Sequence, residues 1–337
     1  MAPLAPPTFP PAPRPRVSAG AARAGKRARL QQKDWAPYAF LSPFLLLFGC
    51  FGLFPVLFSL YVSFQRWDPT TGLGAMRFVR LENYAFTLGD PWFWKSLRNT
   101  LWIAVGSGVP QHAVALPLAY FLHVAYRRWR NTVTGAYFLP FVTSSVAVSL
   151  AFFSLFSKDF GAVNAMLDWA AKLPGVGPLL PRQHVDWLGQ AAYTRPAVSL
   201  VVFWRYLGWN TVLYLSALQA ISPDLVEAAR MDGAARWQTF RHVVVPLLRP
   251  MMLFAVTLSV IGGLQLFEEP FILLGPTGGV RQSGLTSAMY LYRTAFEFGD
   301  FGTAAALAWI LFATIALLTW ANHRLFARLG RAAGGGA

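Results

Sequence analysis

Residues 38–64 run for 27 positions without a charged side chain. A helix needs about 20 mainly apolar residues to cross a hydrocarbon core of ~30 Å. Comparable runs recur at 99–126, 133–156, 196–220, 251–274 and 302–321, with only Arg205, Glu268 and Glu269 charged inside them. No water reaches that depth to satisfy the backbone, so helices that bond internally are the expected form. The chain therefore reads as an all-α integral membrane protein with six transmembrane helices. Only 13% of its residues are charged, against about 25% in soluble domains.

Net charge is +15, which on its own suggests an anionic partner such as nucleic acid. Its distribution argues for topology instead. Six spans put both termini on one side. That side, with the loops after the second and fourth spans, carries seventeen of the Lys and Arg residues; the other side carries eleven. Positive charge accumulates on the cytoplasmic face, so both termini and the fourth-to-fifth loop are expected there. Residues 1–36 are rich in Pro, Ala and Arg and read as a disordered cytoplasmic tail, too long in its charged part for a signal peptide. Residues 37–328 form the membrane domain and 329–337 a flexible C-terminal tail. Trp67, Trp92 and Trp94 suit a membrane–water interface. Cys50 is the sole cysteine, so no intramolecular disulfide forms.

The loop at 222–250 is amphipathic although long apolar runs flank it. Ser222 can cap a helix with Pro223 in its first turn, where no N–H is needed. Asp224 adds charge that the helix dipole favours. Gly233 suits a left-handed stop. A second helix is then predicted from Ala234 until Pro246 and Pro250 interrupt it. The expected shape is helix, tight turn, helix, lying on the membrane surface.

Glu227-Ala228-Ala229, followed by Asp232-Gly233-Ala234 and by Pro246 and Pro250, resembles the EAA loop of binding-protein-dependent ABC importer permeases. Phe78–Tyr84, Phe138–Ser144 and Tyr292–Gly302 resemble the carbohydrate-uptake branch, the maltose, lactose and glycerol-3-phosphate type. The resemblance implies a multi-pass permease subunit of the bacterial inner membrane. It implies a second, homologous permease beside this chain, two copies of an ABC ATPase beneath, and an extracytoplasmic solute-binding protein that delivers a sugar. Glu227, Ala228, Ala229, Asp232 and Gly233 would then couple to the ATPase: an acid in its cleft, a flat small-residue face, and a turn tight enough to fit.

Ionisable groups at membrane depth default to functional roles. Arg205 lies roughly 14 Å below the outer end of its span, and Glu268 roughly 26 Å above the inner end of its own, at 1.5 Å per residue. Across a ~30 Å core these depths are close enough for Arg205 to pair with Glu268 or Glu269, as a structural lock or as part of the solute path. Asn210 and Gln265, with Trp204, Trp209 and Phe267, are candidate sugar contacts, because sugars take amides on their hydroxyls and aromatic faces on their C–H faces. The equal alternative is ordinary helix–helix packing.

No catalytic constellation is present. There is no G-x-x-x-x-G-K-[ST] loop for ATP phosphates and no H-E-x-x-H pair. His112 and His123 are not assigned a metal, and no cofactor is expected. Energy must come from a partner chain. A non-sugar ABC solute is one alternative, and an ion-coupled secondary transporter using Glu268 or Glu269 is another. An intramembrane enzyme lacks any nucleophile or metal cluster at depth.

Overall fold

A computed structural model describes residues 36–125, 128–181 and 183–334. The predicted N-terminal tail lies, but for Ala36, outside the described residues. By internal packing the chain divides into residues 1–59 and 60–337. In the first unit, α1 (Ala36–Phe48) passes through a π-turn at Gly49–Leu53 into α2 (Phe54–Val62), most of which belongs to this unit.

The second unit opens on a two-residue antiparallel ribbon, β1 (Gln65–Arg66) with β2 (Arg77–Phe78), paired Gln65 to Phe78 and Arg66 to Arg77. Then follow α3 (Glu82–Gly89), α4 (Pro91–Ala125), α5 (Arg130–Val142), α6 (Ser145–Leu155), α7 (Ala162–Ala171) and α8 (Ala191–Gln219). After α9 (Pro223–Met231) and a short irregular helical stretch come α10 (Arg249–Leu264), α11 (Glu268–Leu274), α12 (Ser287–Phe296) and α13 (Phe301–Gly334).

Pro37–Val62, Arg249–Leu274 and Phe301–Arg328 are long and apolar enough to cross a membrane. The α5–α6 pair makes a fourth candidate, bent by 93°. At 35 and 29 residues, α4 and α8 exceed span length but carry more polar side chains.

Each departure from the expected spans has a local cause. The second begins at Pro91, ahead of residue 99, because Asp90 caps the helix: its Oδ1 accepts the Trp92 N–H at 2.9 Å, and Pro91 needs no donor there. The third is not one helix over 133–156. Thr143 takes an extended backbone, and its N–H and hydroxyl both return to the Leu139 carbonyl. The fifth breaks at 265–267, where the Thr286 hydroxyl donates to the buried Leu266 carbonyl at 2.7 Å. At each break a threonine hydroxyl takes up a carbonyl, as irregular chain at membrane depth requires.

The helical stretch after Gly233 is interrupted at Leu248, between Pro246 and Pro250, as expected. Pro246 follows a π-turn at Phe240–Val244, and Pro250 sits in the first turn of α10. The wider turn moves the carbonyl that a proline ring would otherwise strike, so the chain passes Pro246 and breaks at the single turn residue Leu248 before α10.

α4 and α8 form the most extensive helix pair. Ala115, Ala119, Leu207, Tyr214, Leu215 and Leu218 build its inner half, with Phe240, Val244 and Leu248 packed against them. Small residues let these backbones approach. At Gly208, a Cβ would lie 1.7 Å from the Tyr137 carbonyl oxygen of α5, whereas at Gly135 it would meet nothing within 4 Å. Gly208→Ala is expected to cost about 1–3 kcal/mol through overpacking and Gly135→Ala almost nothing, read as thermal unfolding of the purified chain in detergent.

Candidate functional site

Two regions concentrate function-bearing side chains. The first is α9 and its turn. The Ser222 Oγ accepts the Asp224 N–H at 3.3 Å, as the sequence predicts. Gly233 has φ +83°; its N–H reaches the Arg230 carbonyl, and the Ala234 N–H reaches Ala229, each at 3.0 Å. That double closure is a Schellman stop. The Ala235 N–H then donates to the Gln238 Oε1 at 2.7 Å, starting the next turn. Glu227, Ala228, Asp232 and Gly233 are exposed and Ala229 half-buried.

The apolar residues of the same loop are exposed too. Met231 is 89% exposed, Trp237 64% and Leu225 48%. Phe240 turns firmly inward, 4.7 Å from the Tyr120 ring of α4, and Val244 and Leu248 are buried with it. The loop is therefore anchored along its second half and presents an apolar and acidic surface outward at α9 and its turn. Met231, Trp237 and Leu225 were not singled out in the sequence, where apolar residues on an amphipathic helix read as its inward face.

The second region is a cleft of about 90 Å³ among α4, α8 and α10, lined by Ser107, Gln111, Tyr206, Trp209, Ser259 and Gly262 among others. Gln111 is fixed from both sides. Its Nε2 donates to the Val202 carbonyl at 2.9 Å, and its Oε1 accepts from Asn210 Nδ2 at 3.2 Å. Trp209 lies against Phe141, ring centroids 4.6 Å apart at 23°. Ser259 Oγ contacts His112 Nε2 at 3.0 Å, and Tyr214 Oη contacts His112 Nδ1 at 2.7 Å. Both nitrogens of that ring are thus engaged by hydroxyls.

Beside the cleft, Arg205 Nη1 meets Glu269 Oε1 at 2.5 Å, with side chains 12% and 3% exposed. The sequence left Glu268 and Glu269 open; the partner is Glu269, and Glu268 is exposed. Two neighbours on a helix point about 100° apart, so only one can face α8.

The remaining predicted contacts are not brought into one site. Asn210 is buried between α4 and α8, 1% exposed, with its amide on Gln111. Gln265 and Phe267 line a different, apolar groove with Tyr292 and Phe296. Trp204 is exposed and meets Phe152 edge-on at 5.2 Å. Only Trp209 faces the cleft. Ser107, Gln111, Tyr206, Ser259 and Gly262 went unselected. The stripe Val202, Tyr206, Trp209 on one face of α8 could have found Tyr206; the other four lie on α4 and α10 and carry no comparable signal.

Residues 100–331 match the family described as binding-protein-dependent transport system inner membrane component. The chain belongs to that family. This permease is 34% identical over 285 residues to the lactose transport system permease protein LacF of Rhizobium radiobacter, covering 84% of this chain and 91% of LacF. It is 31% identical over 310 residues to the arabinooligosaccharides transport system permease protein AraP of Bacillus subtilis, covering 92% and 94%. Its fold is that of a chain from a bacterial ABC transporter involved in the import of the acidic polysaccharide alginate. The TM-score is 0.74 at 23% identity, over 90% of this permease and 99% of that chain.

Breaking one side of a buried ion pair leaves an uncompensated charge. Glu269→Leu is expected to destabilise the permease by about 3–5 kcal/mol, and Arg205→Met/Glu269→Leu to recover most of that loss. Denaturation in mixed micelles, followed by intrinsic fluorescence, reads both. Arg205→Met that leaves stability and transport intact removes any role for the pair.

Proposed function

We propose that this chain is the membrane-spanning permease subunit of an ATP-driven importer for a sugar or sugar derivative. It has six spans, with both termini and the coupling loop cytoplasmic. Its partners are a second homologous permease, two copies of an ABC ATPase and an extracytoplasmic binding protein. This chain breaks no bonds; hydrolysis belongs to the ATPase.

The observation that carries the reading is the outward face of the coupling loop. An amphipathic helix packed only on its own protein would bury Leu225, Met231 and Trp237. Here they stand exposed beside Glu227 on a turn fixed by Gly233. Exposed apolar residues grouped with charge mark a protein-docking surface. The family's own mode of action supplies the partner.

Mechanically, solute-loaded binding protein docks outside while ATP closes the ATPase dimer inside. The loop is drawn with the ATPase. Its movement passes through Phe240, Val244 and Leu248, which pack on α4 and α8, and along α10 to the cleft. The spans rock, the cleft opens outward to take the sugar, and hydrolysis resets the assembly. Contacts to the solute stay few, because a path that binds tightly does not release.

Gentle-detergent purification from native membranes, with mass spectrometry of the accompanying proteins, tests the assignment. Wild type is expected to bring a second permease and an ATPase. Glu227→Lys is expected to lose the ATPase and keep the second permease. A chain that comes alone, from a preparation that keeps other complexes whole, sinks the importer reading in favour of a self-sufficient transporter.

A further inference from the structure

We infer that the cleft among α4, α8 and α10 selects uncharged sugars and rejects uronates and sugar phosphates, because Glu269 cancels the one positive charge beside it. This inference rests on the sugar-importer reading and specifies its substrate class.

The cleft is polar without being charged. Ser107, Gln111, Tyr206, Trp209 and Ser259 present two hydroxyls, an amide, a phenol and an indole, and no acidic or basic residue lines it; Ser107, Gln111 and Ser259 already have partners within the protein. Tyr206 Oη and Trp209 Nε1 take no hydrogen bond among the described residues, so both are free for a ligand. Neutral donors and acceptors beside an aromatic face suit a polyol ring. At about 90 Å³ the cleft is one wall of a site rather than a whole one, since small-molecule sites usually run to ~300–1,000 Å³. Under the proposed assembly, the second permease supplies the facing wall.

The nearest positive charge is Arg205, whose guanidinium lies 5.5 Å from the Tyr206 ring centroid. An anionic sugar would seek it. It is already committed to Glu269 at 2.5 Å, with that carboxylate 3% exposed. Drawing Arg205 toward a substrate carboxylate would leave Glu269 buried and unpaired, which costs more than the new contact returns. The pair thus makes α8 tolerant of an arginine beside the path, and because Glu268 also acts on Tyr206 the field at the cleft is not positive.

The test uses the intact assembly in lipid nanodiscs, held by ATP and vanadate, without free binding protein, so that retention reports the permeases alone. Matched tritiated trisaccharides built from arabinose, galactose or glucose, and from galacturonic or glucuronic acid, are equilibrated with it. At least one neutral trisaccharide is expected to be retained, and uronates about a hundredfold more weakly, as befits an uncompensated carboxylate. Glu269→Gln frees Arg205 and is expected to narrow that gap to about tenfold or less. Its retained binding of the neutral sugar certifies the fold.

Wild type that holds a uronate as tightly as its neutral counterpart overturns the inference. So does a Glu269→Gln assembly that still binds the neutral sugar with the gap unchanged. If that variant does not assemble, the wild-type comparison alone decides. Retention of neither kind by an assembly that still hydrolyses ATP overturns the sugar reading and this inference with it. Failure to isolate any assembly, by contrast, is the failure of the importer reading.

Discussion

Every irregular piece of backbone at membrane depth must find its hydrogen bonds within the protein, because lipid offers none. The chain meets that constraint with hydroxyls. Thr143 caps the carbonyl left at the end of α5, and Thr286 reaches across to Leu266 where the fifth expected span opens. Thr286 also caps α12 by accepting the Met289 N–H. One threonine therefore holds both the break and the helix that returns beside it. Asn99 continues the arrangement, donating to the carbonyls of Gln282 and Leu285. The broken span is fixed by α4 and α12 together, which places Glu269 against α8.

The Arg205–Glu269 pair follows from that placement. A charge pair this deep repays its desolvation only when the geometry is good, and replacing both partners by apolar residues often costs nothing. Its presence is better explained by what it excludes than by what it stabilises. It fixes the angle of α11 to α8 and removes a free charge from the neighbourhood of the cleft.

Much of the coupling loop was legible because its signals are local. Ser222 before Pro223 and Gly233 at the helix end each specify one backbone state, and the fold adopts both. The depth argument for Arg205 was legible too, since rise per residue fixes height without any knowledge of neighbours. What it could not fix was azimuth, so Glu268 and Glu269 stayed equivalent until α11 was in place. The 93° bend between α5 and α6 was illegible for a related reason. Residues 133–156 carry no charge, and hydropathy registers length but not direction; Pro140 and Thr143-Ser144-Ser145 mark a local break without giving its angle. Asn210 shows the limit most clearly. An amide in a span reads equally as a solute contact or as glue, and its neighbour Gln111, 99 positions away in sequence, decides for glue. The cleft residues were missed because Ser107, Ser259 and Gly262 carry no charge to draw the eye.

The π-turn at Phe240–Val244 ties these parts into one mechanical argument. An ordinary proline at 246 would hinge the coupling segment away from α10 and absorb any push within the loop. The wider turn lets the helix pass the proline with little loss of direction, and Phe240, Val244 and Leu248 remain packed on α4 and α8 along the way. Between α9 and Gln265 the chain turns at Gly233 and again at Leu248; two backbone hydrogen bonds close the first turn, and the second is buried against α4 and α8. Over that length the rigid element carries Ser259 and Gly262, which line the cleft, and ends at the break that positions Glu269. Under the proposed function, a displacement passed on through those two turns reaches the solute path.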